Sequence, residues 1–171
     1  MTTPEPPRAL VIDSPVGPLR LEADHGALTG IRFDAEIPPP TDRPAPDSDP
    51  VLAAAAAQLA EYFEGRRTDF ELPLRPSGSP FQLQVWAELC RIGYGETISY
   101  GELALRIGRT PAASRAVGLA NGANPIPVVV PCHRVIGGNG TLVGYGGGLD
   151  RKKVLLRLEA EHAVTAQDRL L

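Results

Sequence analysis

Along the first third of the chain, apolar and polar positions alternate over short distances. "ALVIDSPVGPLRLEADHGALTGIRFD" breaks its apolar runs at Ser-Pro, Gly-Pro and His-Gly, the pattern of three short antiparallel strands. His25 falls in one of these breaks and reads as a turn residue. The period then lengthens. Asp49 caps a predicted helix with Pro50 at its first position, running through "VLAAAAAQLAEYFE" to Gly65, so this half reads as a small sheet packed on one helix.

From Ser79 the pattern is helical. "SPFQ" is a capping box, with Ser79 as cap, Pro80 at the first position and Gln82 reaching back. Phe81, Val85, Leu89 and Ile92 form the predicted buried stripe, with Gly93 or Gly95 as the stop. Cys90 falls inside this helix and is expected in the core. A second capping box, Ser99 with Glu102 in "SYGE", starts a helix through "LALRI" to Gly108. After "GRT", Thr110 caps a further helix in which Pro111 leads "AASRAVGLAN" to Gly122. Two short helices joined by a three-residue turn containing glycine form the helix-turn-helix pattern.

The second of these helices carries almost no side chain at Ala112, Ala113, Ser114, Ala116, Gly118 and Ala120, and Arg115 stands out from it. It is either a tightly packed core helix or a surface that lets a partner approach the backbone. Next, "VVVPCHRVIGGNG" reads as a stiff apolar strand delivering Cys132 and His133 to a glycine-rich loop. In the last helix, "DRKKVLLRLEAEH", Asp150 is the expected cap, and Leu155, Leu156 and Leu158 face the core. Glu159 lies beside that stripe, where partial burial is expected.

Composition sharpens this division. Fourteen of 18 prolines lie within residues 1–80, six of them in the acidic loop 36–50, which reads as exposed and poorly ordered. Residues 1–79 carry 7 Lys+Arg and 13 Asp+Glu, a net −6, against 10 and 7, a net +3, in residues 80–171. The second half could therefore present a modest phosphate-binding face. The texture changes at Ser79, giving expected domains of 1–78 and 79–171. No apolar run is long enough to cross a bilayer, and the N-terminal segment does not read as a signal peptide. Two cysteines without close spacing point to neither a disulfide framework nor a cysteine-rich zinc site, and a reducing cytoplasm is expected.

Cys132 beside His133 suggests a reactive thiol, because the thiolate is the nucleophile and needs its pKa lowered. Pro131 suits the first turn of a short helix, which would place Cys132 near a positive helix end. Consecutive side chains diverge, so a water relay is the expected link between thiol and imidazole. Glu159 is the candidate to orient the histidine.

"PCHRVIG", together with "ISYGELA", "SRAVGLANGANPIPVVV" and "GYGGGLDRKKVLLRLE", resembles the O6-alkylguanine-DNA alkyltransferases, also called methylated-DNA–protein-cysteine methyltransferases. The resemblance is dense from Phe81 to Glu159. It implies an α+β fold, with a small ribonuclease H-like N-terminal domain of structural role and a mainly helical, winged-helix-like C-terminal domain that binds DNA. Cys132 would accept the alkyl group from O6 of guanine irreversibly, one event per protein molecule. O4-alkylthymine remains an open second substrate. His133 would be the water-mediated base held by Glu159, Tyr100 the proton donor to guanine N3, and Asn124 a tie in the hinge before the acceptor.

Arg115 would enter the base stack. Thr110, Ser114, Ala116 and Gly118 would line the DNA-facing helix, entering the minor groove. Val135 and the loop with Val143, Gly144, Tyr145 and Gly146 would wall the pocket. Some relatives have serine where this chain has Gly146, so a backbone contact is expected there and a hydroxyl contact is not. The resemblance implies no cofactor, and the lack of cysteine before Cys90 argues against the zinc site of some relatives. The expected partner is double-stranded DNA bearing alkylated guanine, met by a monomer, with cooperative binding left open. Three other readings compete: a lesion reader, against which Cys132 argues; a cysteine hydrolase, which lacks an oxyanion motif; and a helix-turn-helix regulator, which leaves "PCHR" idle.

Overall fold

The computed structural model describes residues 8–37, 49–138 and 148–169, with side chains of the last helix placed as far as Ala163. The chain divides between Pro76 and Ser77 into two compact units.

In the first unit, β1 (Arg8–Ile12), β2 (Leu19–Asp24) and β3 (Ala27–Arg32) form an antiparallel sheet in that order, with a bulge between Glu22 and Ala23. His25 at φ 47 and Gly26 at φ 77 make the β2–β3 turn, a conformation with both central residues left-handed that suits the sheet's twist. Helix α1 (Pro50–Phe63) begins as the sequence predicts. Asp49 accepts from the amides of Val51 and Leu52, and Gly65 follows the helix at φ 77. Leu52, Ala55, Leu59 and Tyr62 of α1 join Leu19, Leu21, Leu28 and Ile31 of the sheet in an apolar core.

The second unit is mainly helical. Helix α2 (Pro80–Leu89) has both halves of its capping box and buries Val85, Trp86 and Leu89. The Trp86 indole donates to the Ala120 carbonyl at 2.8 Å. The helix stops earlier than expected. Cys90 is its C-terminal cap and is exposed, not a core residue, because Leu89 and Ile92 take the inward positions around the turn. Phe81 is only half-buried, with the Arg109 guanidinium over its ring.

A two-residue parallel ribbon pairs β4 (Ile98–Ser99) with β5 (Val135–Ile136). Helix α3 (Tyr100–Arg106) starts from Ser99, which accepts from the Glu102 amide. Glu102 itself pairs with Arg106, so only half of the expected capping box forms. Thr110 stands at a cap position without a side-chain cap bond. The turn it precedes, Pro111–Ala113, is 3₁₀, and α4 (Ser114–Gly122) follows. Helix α5 (Leu149–Arg169) starts one residue before Asp150, placing that carboxylate in the first turn and not at the cap.

The run before Cys132 is not a strand. Pro125, Pro127 and Pro131 remove the amides a ladder would need, and Val128 takes φ 73, a costly conformation for a β-branched residue. The chain instead coils through turns, with the Val130 amide bonded to the Ile126 carbonyl at 2.9 Å.

Candidate active site

That coil sets the backbone of the acceptor turn. Pro131 at φ −82, ψ 64 makes an inverse γ-turn, in which the Cys132 amide donates to the Val130 carbonyl at 2.8 Å. Asn124 clamps the same segment: its Nδ2 donates to the Val130 carbonyl at 2.8 Å, and its Oδ1 accepts from the Ile126 amide at 3.0 Å. Cys132–Arg134 then forms a single 3₁₀ turn with Pro131 at its cap, not at its first position. One such turn aligns too few peptide dipoles to supply the positive helix end expected from the sequence. All three side chains of the turn are buried.

His133 is wholly buried, and its Nε2 lies 2.6 Å from Glu159 Oε2. Burial pushes Glu159 upward, but its bonds to His133 and Arg134 outweigh this and hold the carboxyl at about 2. An ionised carboxylate can only accept, so Nε2 carries the hydrogen. Nδ1 keeps its lone pair, and no described residue donates to it. Burial also pushes His133 below 6.5, against the upward pull of Glu159. The imidazole is thus a neutral base of fixed tautomer, and Arg134 carries the charge that balances Glu159.

Arg134 was not singled out from the sequence. Its Nε and second terminal nitrogen reach the two Glu159 oxygens at 2.8 and 3.1 Å, and its other terminal nitrogen reaches the Ile92 carbonyl at 2.6 Å. The Gly95 amide adds a bond to Glu159 at 3.2 Å. Gly95 has φ +78, and a Cβ there would stand 2.7 Å from Ala163, so both backbone and packing call for glycine. Glu159 is therefore fully buried, beyond the partial burial expected.

Lys152 was also missed. It lies two helical turns before Glu159 on the same face of α5, is fully buried, and donates to the Val135 carbonyl at 2.7 Å. Burial lowers its pKa, and ionisation of Cys132 opposes this. A buried basic side chain thus acts on both Cys132 and His133. The spacing of 152 and 159 across two turns was the available signal, hidden among the other charges of "DRKKVLLRLEAEH".

Tyr100 begins α3, half-buried. Burial and the charge of Cys132 push its phenol above 10, with a hydrogen bond to Asn121 pulling the other way. The structure thus brings Cys132, His133, Glu159, Tyr100 and Asn124 together around one turn. Val135 follows that turn, buried in β5. Arg115, Ala116 and Leu119 form an exposed face of α4, with Thr110 exposed before it and Ser114 half-buried. Ser114 Oγ donates to the Pro111 carbonyl at 2.5 Å. Gly118 turns the other way, toward the Tyr100 ring. Val143, Gly144, Tyr145 and Gly146 lie outside the described residues. Among the described residues no group of three His, Cys, Asp or Glu could hold a metal.

Residues 8–76 match the family model of the 6-O-methylguanine DNA methyltransferase ribonuclease-like domain, and residues 80–161 that of its DNA-binding domain. The methylated-DNA–protein-cysteine methyltransferase of Mycolicibacterium paratuberculosis is 51% identical over 152 residues, covering 89% of this chain and 92% of the relative. That of Methanosarcina barkeri is 46% identical over 152 residues, covering 87% and 94%. Among solved structures, the Mycobacterium tuberculosis O6-methylguanine methyltransferase aligns with a TM-score of 0.80 at 46% identity, over 92% of this chain and 94% of that one. OGT of the same organism in complex with DNA aligns at 0.78 and 49%, over 90% and 93%. With both domain models matched in order and such identity over most of its length, the chain belongs to the methylated-DNA–protein-cysteine methyltransferase family.

Proposed function

We propose that Cys132 takes the alkyl group from O6 of a flipped-out guanine in double-stranded DNA, once per protein molecule. The observation that carries this reading is the turn itself: a buried cysteine next to a neutral histidine whose tautomer is locked by an ionised glutamate. The Cys132 proton passes through a water to His133 Nδ1, and the sulfur forms a bond to the alkyl carbon as the bond from that carbon to O6 breaks. The electron pair of the broken bond stays on guanine, where Tyr100 supplies a proton at N3. The product is a thioether, with no route back to the thiol by thiol exchange.

O6 is out of reach inside the stack, so the nucleotide must leave it, at a cost of a few kcal/mol that is least for a weakened pair. The exposed face of α4 and the turn before it suit this step: Ala112 in the turn and Ala116 in the helix let it lie close in the minor groove, and Arg115 projects to hold the gap. The segment 143–148 would wall the pocket, as the resemblance implies. The protein acts as a monomer in the reducing cytoplasm, where a reactive thiol persists. No described helix is long and apolar enough to cross a membrane.

The test is where the alkyl group goes. After reaction with duplex DNA containing O6-methylguanine, the tryptic peptide "AVGLANGANPIPVVVPCHR" should be heavier by one methylene. The modified fraction should plateau at one methyl per protein, and Cys132→Ala should retain the lesion DNA without transfer. Methyl on Cys90, or turnover beyond one equivalent, would overturn the reading.

A further inference from the structure

Asn121 is the buried polar side chain of α4. It lies one turn beyond Gly118, where a Cβ would stand 3.6 Å from the Tyr100 ring, so the two residues share the face toward the phenol. Asn121 Nδ2 donates to the Cys132 carbonyl at 3.3 Å, and the same side chain lies close enough to the Tyr100 phenol to favour its ionised form. Its Oδ1 is buried, with no donor to it among the described residues. Since the amide oxygen receives nothing, it is the amide nitrogen that can serve the phenol oxygen, and the phenol's proton is not spent on the amide. Reversing the amide would set Oδ1 against the Cys132 carbonyl, two acceptors facing one another.

We infer that Asn121 is a positioning residue for alkyl transfer: by donating to both the Tyr100 oxygen and the Cys132 carbonyl, it aims the phenol's proton at the leaving base and ties proton donor to acceptor. This inference rests on the proposed role of Tyr100. As Tyr100 gives its proton to guanine, the charge left on its oxygen meets an N–H already in place, and no group has to reorient at that moment. Burial and the charge of Cys132 both oppose that ionised phenol, and Asn121 favours it. An orphaned buried acceptor costs about 1–3 kcal/mol, so a residue kept for packing alone would be better apolar.

The experiment is a double-mutant cycle with a spectroscopic readout. Transfer from O6-methylguanine duplex is timed for wild type, Asn121→Leu, Tyr100→Phe and the double variant, and Tyr100 ionisation is followed by its ¹³Cζ shift. Asn121→Leu should slow transfer on the order of tenfold and move the Tyr100 ionisation upward. In the Tyr100→Phe background the same change should have little effect. Asn121→Ser, smaller and polar, replaces leucine if leucine impairs folding, with the same expected pattern. Equal slowing in both backgrounds, or an unmoved Tyr100 ionisation, overturns the inference. A wild-type rate in Tyr100→Phe instead sinks the donor role on which it rests.

Discussion

Among the described residues, the sheet unit buries only apolar and aromatic side chains, from Val16 to Tyr62, whereas the helical unit also buries Asn121, His133, Arg134, Lys152 and Glu159. The carboxylates show the contrast most directly. In the sheet unit, Glu22 accepts from Arg20 and Arg32 at 3.2 and 2.7 Å, with both arginines open to solvent. In the helical unit, Glu159 accepts from Arg134 and His133 with all three buried. The first arrangement decorates a surface. The second fixes a tautomer, which water around the same groups would leave free to exchange. Burial of charge is costly for a fold, and among the described residues it falls between His133 and Glu159.

Removing the charge from each carboxylate is the largest test of that contrast. Glu159→Gln leaves the Arg134 charge uncompensated and should cost about 3–5 kcal/mol of stability, with transfer slowed by about 10²–10⁴-fold. Glu22→Gln should cost less than about 1 kcal/mol and leave transfer at the wild-type rate. Denaturant midpoints and single-turnover rates measure both. Similar losses from the two changes would erase the distinction between the units.

Leu59→Ala tests the sheet unit from its other side. A buried leucine truncated in an apolar core should cost about 2–5 kcal/mol while the rate of transfer by the folded protein stays the same. A slowed rate at a temperature where the variant is still folded would show that transfer depends on the sheet unit.

The pH dependence should be smaller and confined to the buried turn. His133 is held below 6.5 in the folded chain, so its neutral form contributes stability that is full above that value and fades as pH falls below it. Glu159, held at about 2, contributes stability that is full above about 4.5 and is lost between there and about 2. Urea midpoints of wild type and His133→Gln should therefore converge as pH falls from 7.5 to 5. Parallel curves would mean that His133 titrates alike in the folded and unfolded chain.

The smallest effect concerns two valine sites separated by one residue, Val128 and Val130. Val130→Gly removes a buried side chain and adds chain entropy, a loss of about 3 kcal/mol. Val128→Gly loses the same side chain but releases the left-handed strain at φ 73, worth about 1–3 kcal/mol, so its net cost should be clearly less. Thermal unfolding of the two variants decides the point, and equal costs would mean that Val128 is unstrained.

Caps and breakers made most elements legible from sequence alone. Asp49, Ser79 and Ser99 start helices where their side chains accept backbone amides, and His25-Gly26 turns the sheet. The errors come from competition that local patterns do not record. Asp150 and Thr110 have cap chemistry but not the cap bonds, and the valine run has strand propensity that three prolines annul. Cys90 has a helical position but falls where the helix has already ended. In the site, Cys132, His133 and Glu159 could be named because a motif and a resemblance point at them. Arg134, Lys152 and Asn121 could not, since each looks like an ordinary surface residue until the fold buries it. Their roles depend on partners 11 to 42 residues away, a separation that periodicity does not span.

The ribbon of β4 and β5 gives the molecule a modular seam. Ile98 pairs with Val135 and Ser99 with Ile136, so the residue that opens α3, Tyr100, and the turn that ends at Arg134 sit at the two sides of one short splice. Helices α3 and α4, with the exposed Arg115 and Ala116, lie in the excursion between them. Insertions or exchanges within that excursion need not disturb the alignment of Tyr100 and Cys132, provided Asn121 and the Asn124 clamp travel with it. A lineage could therefore remodel which lesions and flanking sequences it surveys while inheriting the chemistry unchanged, and an engineer could graft a new reading head at the same two points.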